Sequence, residues 1–244
     1  RQMQGRTNIN LRGLGLSSTL VLFDGKRQTV TGTTANDGSV FVNTSAIPVI
    51  ALERVEVLKE GAASVYGSDA VAGVVNYIFR RDFTGFEVDI TTQETDLGDS
   101  KDRRGSFIWG GESGDTNLVV AYSTLDRSPL SQSELELAPL GVSGLGTSFL
   151  LFGPSTVESG PYAGTYSAFQ NVGDPNCVAN KGIVIPQASG FRCGFKYGPR
   201  FNIVNDEDHD QLYVSLKTKL TSGVDAKLDY LKADTNVYDN PQSP

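Results

Sequence analysis

Two cysteines and one histidine are the most reactive side chains in this 244-residue chain, and their spacing limits the chemistry open to them. Cys177 and Cys193 lie in a segment rich in Gly and Pro, with fifteen residues between them. As the only cysteines present they fit an oxidised loop staple, the alternative being two unrelated thiols. A metal centre fits less well, because His209 follows Cys193 by sixteen residues and no second ligand pair accompanies it. Around that histidine, Asp206, Glu207, Asp208 and Asp210 are dense enough in carboxylate to hold calcium, yet the run lacks the glycine and terminal glutamate of an EF-hand loop. It reads instead as a solvated strand end. There is no GxSxG elbow and no cysteine beside a histidine in a nucleophile motif. Gly13-Leu14-Gly15 and Asp24-Gly25-Lys26 are only pieces of nucleotide-binding loops. The sequence therefore predicts a protein that is not an enzyme, with no catalytic residue, no cofactor and no metal site.

Binding chemistry is better represented. The stretch from Ser128 to Asn205 holds seven of the ten prolines and nine aromatic residues, with four acidic and four basic residues that cancel. Aromatic rings on a stiffened loop make good ligand platforms, although packing of the loop on itself accounts for many of them. Phe191, Phe195 and Tyr197, close to the cysteine pair, are the candidate ligand contacts. A loop of this length is usually functional or disordered.

Composition bounds the partners. A chain that is 39% hydrophobic and 20% charged suits folded structure. Its net charge of -7, without clusters of Lys and Arg, argues against nucleic acid. No run approaches the roughly 18 apolar residues of a membrane helix, so any passage through a bilayer has to be made by strands.

Strands are what the periodicity predicts. Phe86, Val88 and Ile90 alternate with Glu87, Asp89 and Thr91; Phe107 and Trp109 share a face; Leu118, Val120 and Tyr122 alternate with Asn117, Val119, Ala121 and Ser123. A fourth strand is expected over about 208–220, with Leu212, Val214, Leu216 and Leu220 on one face, and a fifth through Ala226, Leu228 and Tyr230. The turns around Glu112–Asp115 and Thr221–Val224 are short, whereas the third connection is the long loop, an asymmetry typical of outer-membrane barrels. Segments near nine to eleven residues are the length a tilted membrane strand needs.

Before these strands the chain reads ALERVEVLKEGAASVYGSDAVAGVVNYIFRRD from Ala51 to Asp82. Leu52, Arg54 and Glu56 alternate with Glu53, Val55 and Val57 as in a half-exposed strand, and Gly61, Gly67 and Gly73 punctuate the residues beyond it. This stretch resembles the end of the plug domain of TonB-dependent outer-membrane receptors, whose usual pattern is a strand like IERVEVLKGP, a YG turn and then GGVVNI. Upstream, NINLRGLG from Asn8 and LVLFDGKR from Leu20 resemble two earlier plug strands, in the right order. The chain departs from the pattern at Glu60 and Ala62, which makes the turn less rigid. The resemblance covers residues 8–82 closely.

It implies a mixed α/β plug domain over residues 1–82, followed over 83–244 by antiparallel transmembrane β-barrel strands, about five of them, with a long extracellular loop at 128–205. Five strands cannot close around a plug, since plugged transporters use about 22, so the resemblance implies an incomplete barrel and a fragment of a longer protein. The family's TonB box and further plug residues would precede Arg1. The implied function is binding of a scarce nutrient at the outer membrane of a Gram-negative bacterium, with import driven by the TonB energy-transducing complex. A ferric siderophore, haem, cobalamin or an oligosaccharide would each suit, and outer-membrane lipid would surround the wall. Arg12 in NLRG and Arg54 in ERVEV stand where the family's arginines look as if they pair with barrel-wall carboxylates, a plug-barrel latch. The rival reading is a soluble secreted β-rich binding or adhesion domain. Burial separates the two, because a soluble sheet covers Phe86, Val88, Leu118, Val120, Leu212 and Leu216, whereas a barrel turns them to lipid.

Overall fold

The computed structural model describes residues 5–35, 37–96, 100–134, 142–143, 148–196 and 202–238. The chain divides into two compact units, one formed by Arg1–Thr95, Asp99–Ser128 and Asn205–Asp239, the other by Asp96–Gly98, Pro129–Val204 and Asn240–Pro244.

The first unit contains two sheets. In the smaller one, β1 (Thr19–Phe23), β2 (Lys26–Arg27), β3 (Leu52–Leu58) and β4 (Gly73–Phe79) lie in the order β2-β1-β4-β3. β1 runs parallel to β4, and β2 and β3 run antiparallel to their neighbours. The central pair is covered on both faces, which is why Leu20, Val21, Leu22, Val74 and Val75 form continuous apolar runs where an alternating pattern would leave one face wet. Asp24 and Gly25 turn the β1–β2 hairpin with φ of 47° and 77°, the paired positive values of the tight hairpin turn that Asp-Gly favours. Between β3 and β4 the chain makes a short α-helix, α1 (Ala62–Tyr66), bracketed by Gly61 and Gly67, and then a 3-10 turn at Ser68–Ala70. Gly73 admits no side chain, since a Cβ there would lie 2.6 Å from the Leu58 carbonyl oxygen. β3 departs from simple alternation: its register shifts between Leu52 and Arg54, so a bulge at Glu53 moves Arg54 and the rest of the strand to the other phase.

The larger sheet comprises β5 (Gly85–Glu94), β6 (Lys101–Ser113), β7 (Thr116–Arg127), β8 (Asp206–Thr221) and β9 (Val224–Tyr238), antiparallel throughout and ordered β9-β8-β7-β6-β5. β6 to β9 are 13, 12, 16 and 15 residues long, exceeding the nine to eleven expected. At about 3.3 Å per residue, β8 is long enough to clear an apolar band of about 25 Å even when tilted. One face carries Phe86, Val88, Ile90, Trp109, Leu220, Leu228 and Tyr230 in the open, with Ile90 79% exposed. Leu118, Val120, Leu212 and Leu216 share that face and are half-buried only by their own neighbours in the sheet. Burying such groups is worth about 25 cal/mol per Å², so this contiguous surface suits hydrocarbon and not water.

The opposite face meets the smaller sheet. Registers across four strands place Ile108, Ala121, Tyr213 and Leu231 in one row, and the first three are buried against Ile47, Ala51 and Phe79. The N-terminal sheet is thus packed on the wall's inner face. Closest approach comes at Gly110, where a Cβ would stand 2.0 Å from the carbonyl oxygen of Phe83 in the segment joining β4 to β5.

The second unit, joining β7 to β8 in the chain, is built from short antiparallel pairs: Ser148–Leu150 with Asn171–Gly173, Ser155–Val157 with Gly164–Tyr166, Leu130–Ser131 with Asn202–Val204, and a three-stranded sheet of Val142–Ser143, Ile183–Pro186 and Phe191–Lys196. Cys177 and Cys193 are joined in a disulfide with Cα atoms 5.6 Å apart. Gly182 is packed so closely that a Cβ would fall 2.6 Å from the Cys193 sulfur.

Gly110→Ala in the full-length protein should destabilise it by about 1–3 kcal/mol, because the added methyl meets backbone and not a movable side chain. Denaturation midpoints check this, and an unchanged midpoint contradicts the close approach.

Candidate functional site

The junction between the N-terminal sheet and the wall concentrates the charged and aromatic chemistry of the first unit. Its apolar part is the ring of Phe79, stacked on Tyr213 with centroids 4.6 Å apart and planes at 18°. Phe23 meets Phe79 edge-on at 5.7 Å. β4 delivers Phe79 to this place, and the three residues after it are all ion-paired. Arg80 Nη1 lies 2.5 Å from Glu87 of β5, Arg81 Nη2 lies 2.5 Å from Asp24 and 2.9 Å from Asp229 of β9, and Asp82 accepts from Lys217 of β8 at 2.9 Å. Arg81 and Asp24 are largely buried, with side-chain exposures of 15% and 9%.

Both carboxylates are held for this purpose. The Asp24 amide donates to the Tyr77 carbonyl at 2.8 Å, the Phe79 amide donates to Asp24 Oδ1 at 3.2 Å, and the Gly25 amide donates to Asn76 Oδ1 at 2.9 Å. Asp229 accepts from Ser215 Oγ at 2.9 Å and lies 3.6 Å from Lys26 Nζ. Burial pushes the Asp24 carboxyl above its ordinary value, against the opposing pull of the Phe79 amide and Arg81. A carboxyl raised in this way favours the folded state only while protonated, so its contribution is lost as pH rises through the raised value. The arrangement specifies position; it is not a large net source of stability.

Above the junction the inner face becomes polar. Arg127 makes a bidentate pair with Asp102 at 2.9 and 2.7 Å and reaches Glu207 at 2.8 Å, with His209 Nε2 3.6 Å from the same glutamate. Gln211 donates to the Ser45 carbonyl. Between these groups lies a cavity of about 930 Å³ whose lining includes Thr7, Ser45, Asp89, Arg104, Ser106 and Gln211.

The residues singled out from sequence fall in several places. Arg12 sits in the left-handed region, φ 58°, with its guanidinium 3.7 Å from Glu60 and both side chains exposed. Arg54 pairs with Glu53 at 2.5 Å and Glu56 at 2.9 Å on its own strand. Phe191 and Phe195 lie on the strand that carries Cys193, both half-buried, and Phe191 packs against Gly173. Tyr197 lies outside the described residues. More open rings in that unit are Phe152 and Phe169. The acidic run is not a cluster in space: Glu207 and His209 turn inward, with Asp206, Asp208 and Asp210 on the other face. Among the described residues no group of metal-ligating side chains assembles. In sequence Arg81 is merely one half of a basic pair; its partners stand 57 and 148 positions away, and only the alternation of β9, which turns Asp229 inward, hints at one of them.

A mixed sheet is thus packed on one face of an open five-stranded antiparallel sheet whose other face is apolar. A family model described as the TonB-dependent receptor plug domain matches residues 1–74. Iron-regulated outer membrane virulence proteins from two strains of Vibrio cholerae serotype O1 are each 34% identical over 126 residues, 50% of this chain and 19% of theirs. Among solved structures, a ferric enterobactin receptor, PfeA, in complex with BCV-L6 superposes with a TM-score of 0.55 at 17% identity, over 99% of this chain and 30% of that one. The siderophore receptor PirA from Acinetobacter baumannii gives 0.54 at 18% identity, over 93% and 25%. Residues 1–74 thus match a TonB-dependent receptor plug domain, and the chain resembles iron-regulated outer membrane proteins in sequence and two siderophore-type receptors in fold. It spans about a fifth of the length of the curated relatives it matches.

Arg81→Ala in the full-length protein should cost about 3–5 kcal/mol, because it leaves Asp24 and Asp229 facing one another with one lysine between them. Equilibrium denaturation reads this directly, and a loss below about 1 kcal/mol would place Arg81 with ordinary surface arginines.

Proposed function

We propose that the whole protein to which this chain belongs binds a scarce nutrient at the outer membrane and imports it with energy transduced by TonB. The observation that carries the reading is the N-terminal sheet packed on the inner face of a wall whose outer face is apolar. Such a sheet blocks the lumen, so cargo passes only if work loosens it, and the Phe79–Tyr213 stack and the Arg81 pairs have to survive or re-form in each cycle. In this reading residues 1–82 are the plug, 83–244 supply barrel wall, and the insertion at 128–205 is an external loop. The names carried by the similar proteins, an enterobactin receptor and a siderophore receptor, make a ferric siderophore the first cargo to test.

Arg12 and Arg54 complete the proposal as the plug side of a latch. Their present carboxylate partners are exposed neighbours within the plug, so the guanidinium groups are free to exchange them for carboxylates on further barrel strands. External ligand contacts are assigned to the second unit, through Phe191, Phe195 and Tyr197, with the open rings of Phe152 and Phe169 as further candidates.

In iron-limited cells producing the full-length receptor, uptake of labelled ferric siderophore should require TonB. The Arg12→Ala, Arg54→Ala double variant should insert normally while its plug amides exchange faster. Uptake that persists without TonB overturns the import reading, and wild-type exchange in the double variant overturns the latch.

A further inference from the structure

The inner wall carries a charge pattern that bears on what passes along it. The cavity beside the plug is lined by three carboxylates, Glu87, Asp89 and Asp102, and by one guanidinium, Arg104. Glu87 is engaged by Arg80 and Asp102 by Arg127. Arg127 in turn also holds Glu207. With these partners counted, four carboxylates meet three guanidinium groups. Asp89 accepts a hydrogen bond from Thr91 on its own strand, at 3.2 Å. Arg104 is 57% exposed and 4.0 Å from Asp102. The rest of the lining consists of the His209 imidazole beside Glu207, hydroxyls and amides such as Ser106, Ser123 and Gln211, and hydrocarbon from residues such as Ile47 and Leu125. Registers place Asp89, Ser106, Ser123 and Gln211 in one row across β5 to β8, so the polar groups form a continuous strip.

A site built for a multiply charged anion gathers unengaged cations or backbone amides, and this strip has one exposed arginine facing an excess of carboxylate. We propose that the cavity is a subsite for an uncharged ligand with a hydrogen-bonding surface, and that it selects against polyanionic complexes. The inference rests on the import reading above and narrows it. Iron(III) bound by three hydroxamates, each carrying one negative charge, is neutral. Bound by three catecholates, each carrying two, it is a trianion. The strip fits the first: hydroxyls and amides meet its carbonyl and amide groups, and Ile47 and Leu125 meet its hydrocarbon. A neutral oligosaccharide offers the same chemistry from another source.

Direct binding to the purified full-length receptor tests this with three probes, an uncharged ferric tris-hydroxamate, a ferric tris-catecholate and a neutral oligosaccharide, each measured against wild type, Asp89→Asn and Asp89→Lys. Wild type should bind a neutral probe at least tenfold more tightly than the tris-catecholate. Asp89→Lys should improve tris-catecholate binding about five- to tenfold at physiological salt, the size expected for reversing one charge at about 8 Å with screening. Asp89→Asn should fall between. Tighter binding of the tris-catecholate by wild type, or no response of it to Asp89→Lys, overturns the charge selection while leaving iron import standing. Binding of the oligosaccharide and of neither iron complex removes the siderophore cargo but supports the selection for an uncharged ligand.

Discussion

One guanidinium, that of Arg81, ties three separate parts of this chain together. It lies where the N-terminal sheet meets the wall, between a carboxylate from the β1–β2 hairpin turn and one from β9. Removed from water, a charge of this kind is tolerated only while its partners stay in place. The turn at Asp24, the register that sets Asp229 inward and the close passage of Phe83 over Gly110 are therefore not independent features. The turn and the register bring the two carboxylates to Arg81, and the stacked Phe79 and Tyr213 rings line the same pocket as the ion cluster.

The wall has two unlike faces, and its alternation follows from that. On the outer face, Phe86, Ile90 and Leu228 are exposed, as strands of a membrane barrel would leave them. On the inner face the character changes along the strands, from an apolar row that receives the plug to a polar strip with carboxylates in excess. A soluble β-rich domain would have to cover the outer band, and among the described residues nothing does so. In the proposed reading, the inner gradation separates two tasks, holding the N-terminal sheet below and handling ligand above.

How far the sequence reveals this depends on the range of the interaction concerned. Strand identity is readable wherever one face is apolar, as from Leu118 to Tyr122 or from Leu212 to Leu220. Strand ends are not. From Asp206 to Asp210 both faces are polar, so hydropathy loses its period while the hydrogen-bonded ladder continues to Asp206 opposite Tyr238. The bulge at Glu53 is equally hidden, since ERVEV alternates well on paper. The disulfide follows from having two cysteines and one stiff segment, and the structure pairs them. The candidate site is the hardest part. Arg12 and Arg54 stand out because they sit in recognisable motifs, whereas Arg81 acquires its role from Asp229, 148 residues further along, a pairing that no local pattern encodes.

The central claim, that Arg81 and Asp229 act as one unit joining plug to wall, is tested most directly by a double-mutant cycle in the full-length receptor. Arg81→Ala, Asp229→Ala and the pair would be compared by equilibrium denaturation. The account predicts non-additivity of at least about 1.5 kcal/mol, the double variant losing well under the sum of the two single losses, as for residues sharing one network. Losses that add to within about 0.5 kcal/mol would contradict it, and would mean that Arg81 and Asp229 act independently.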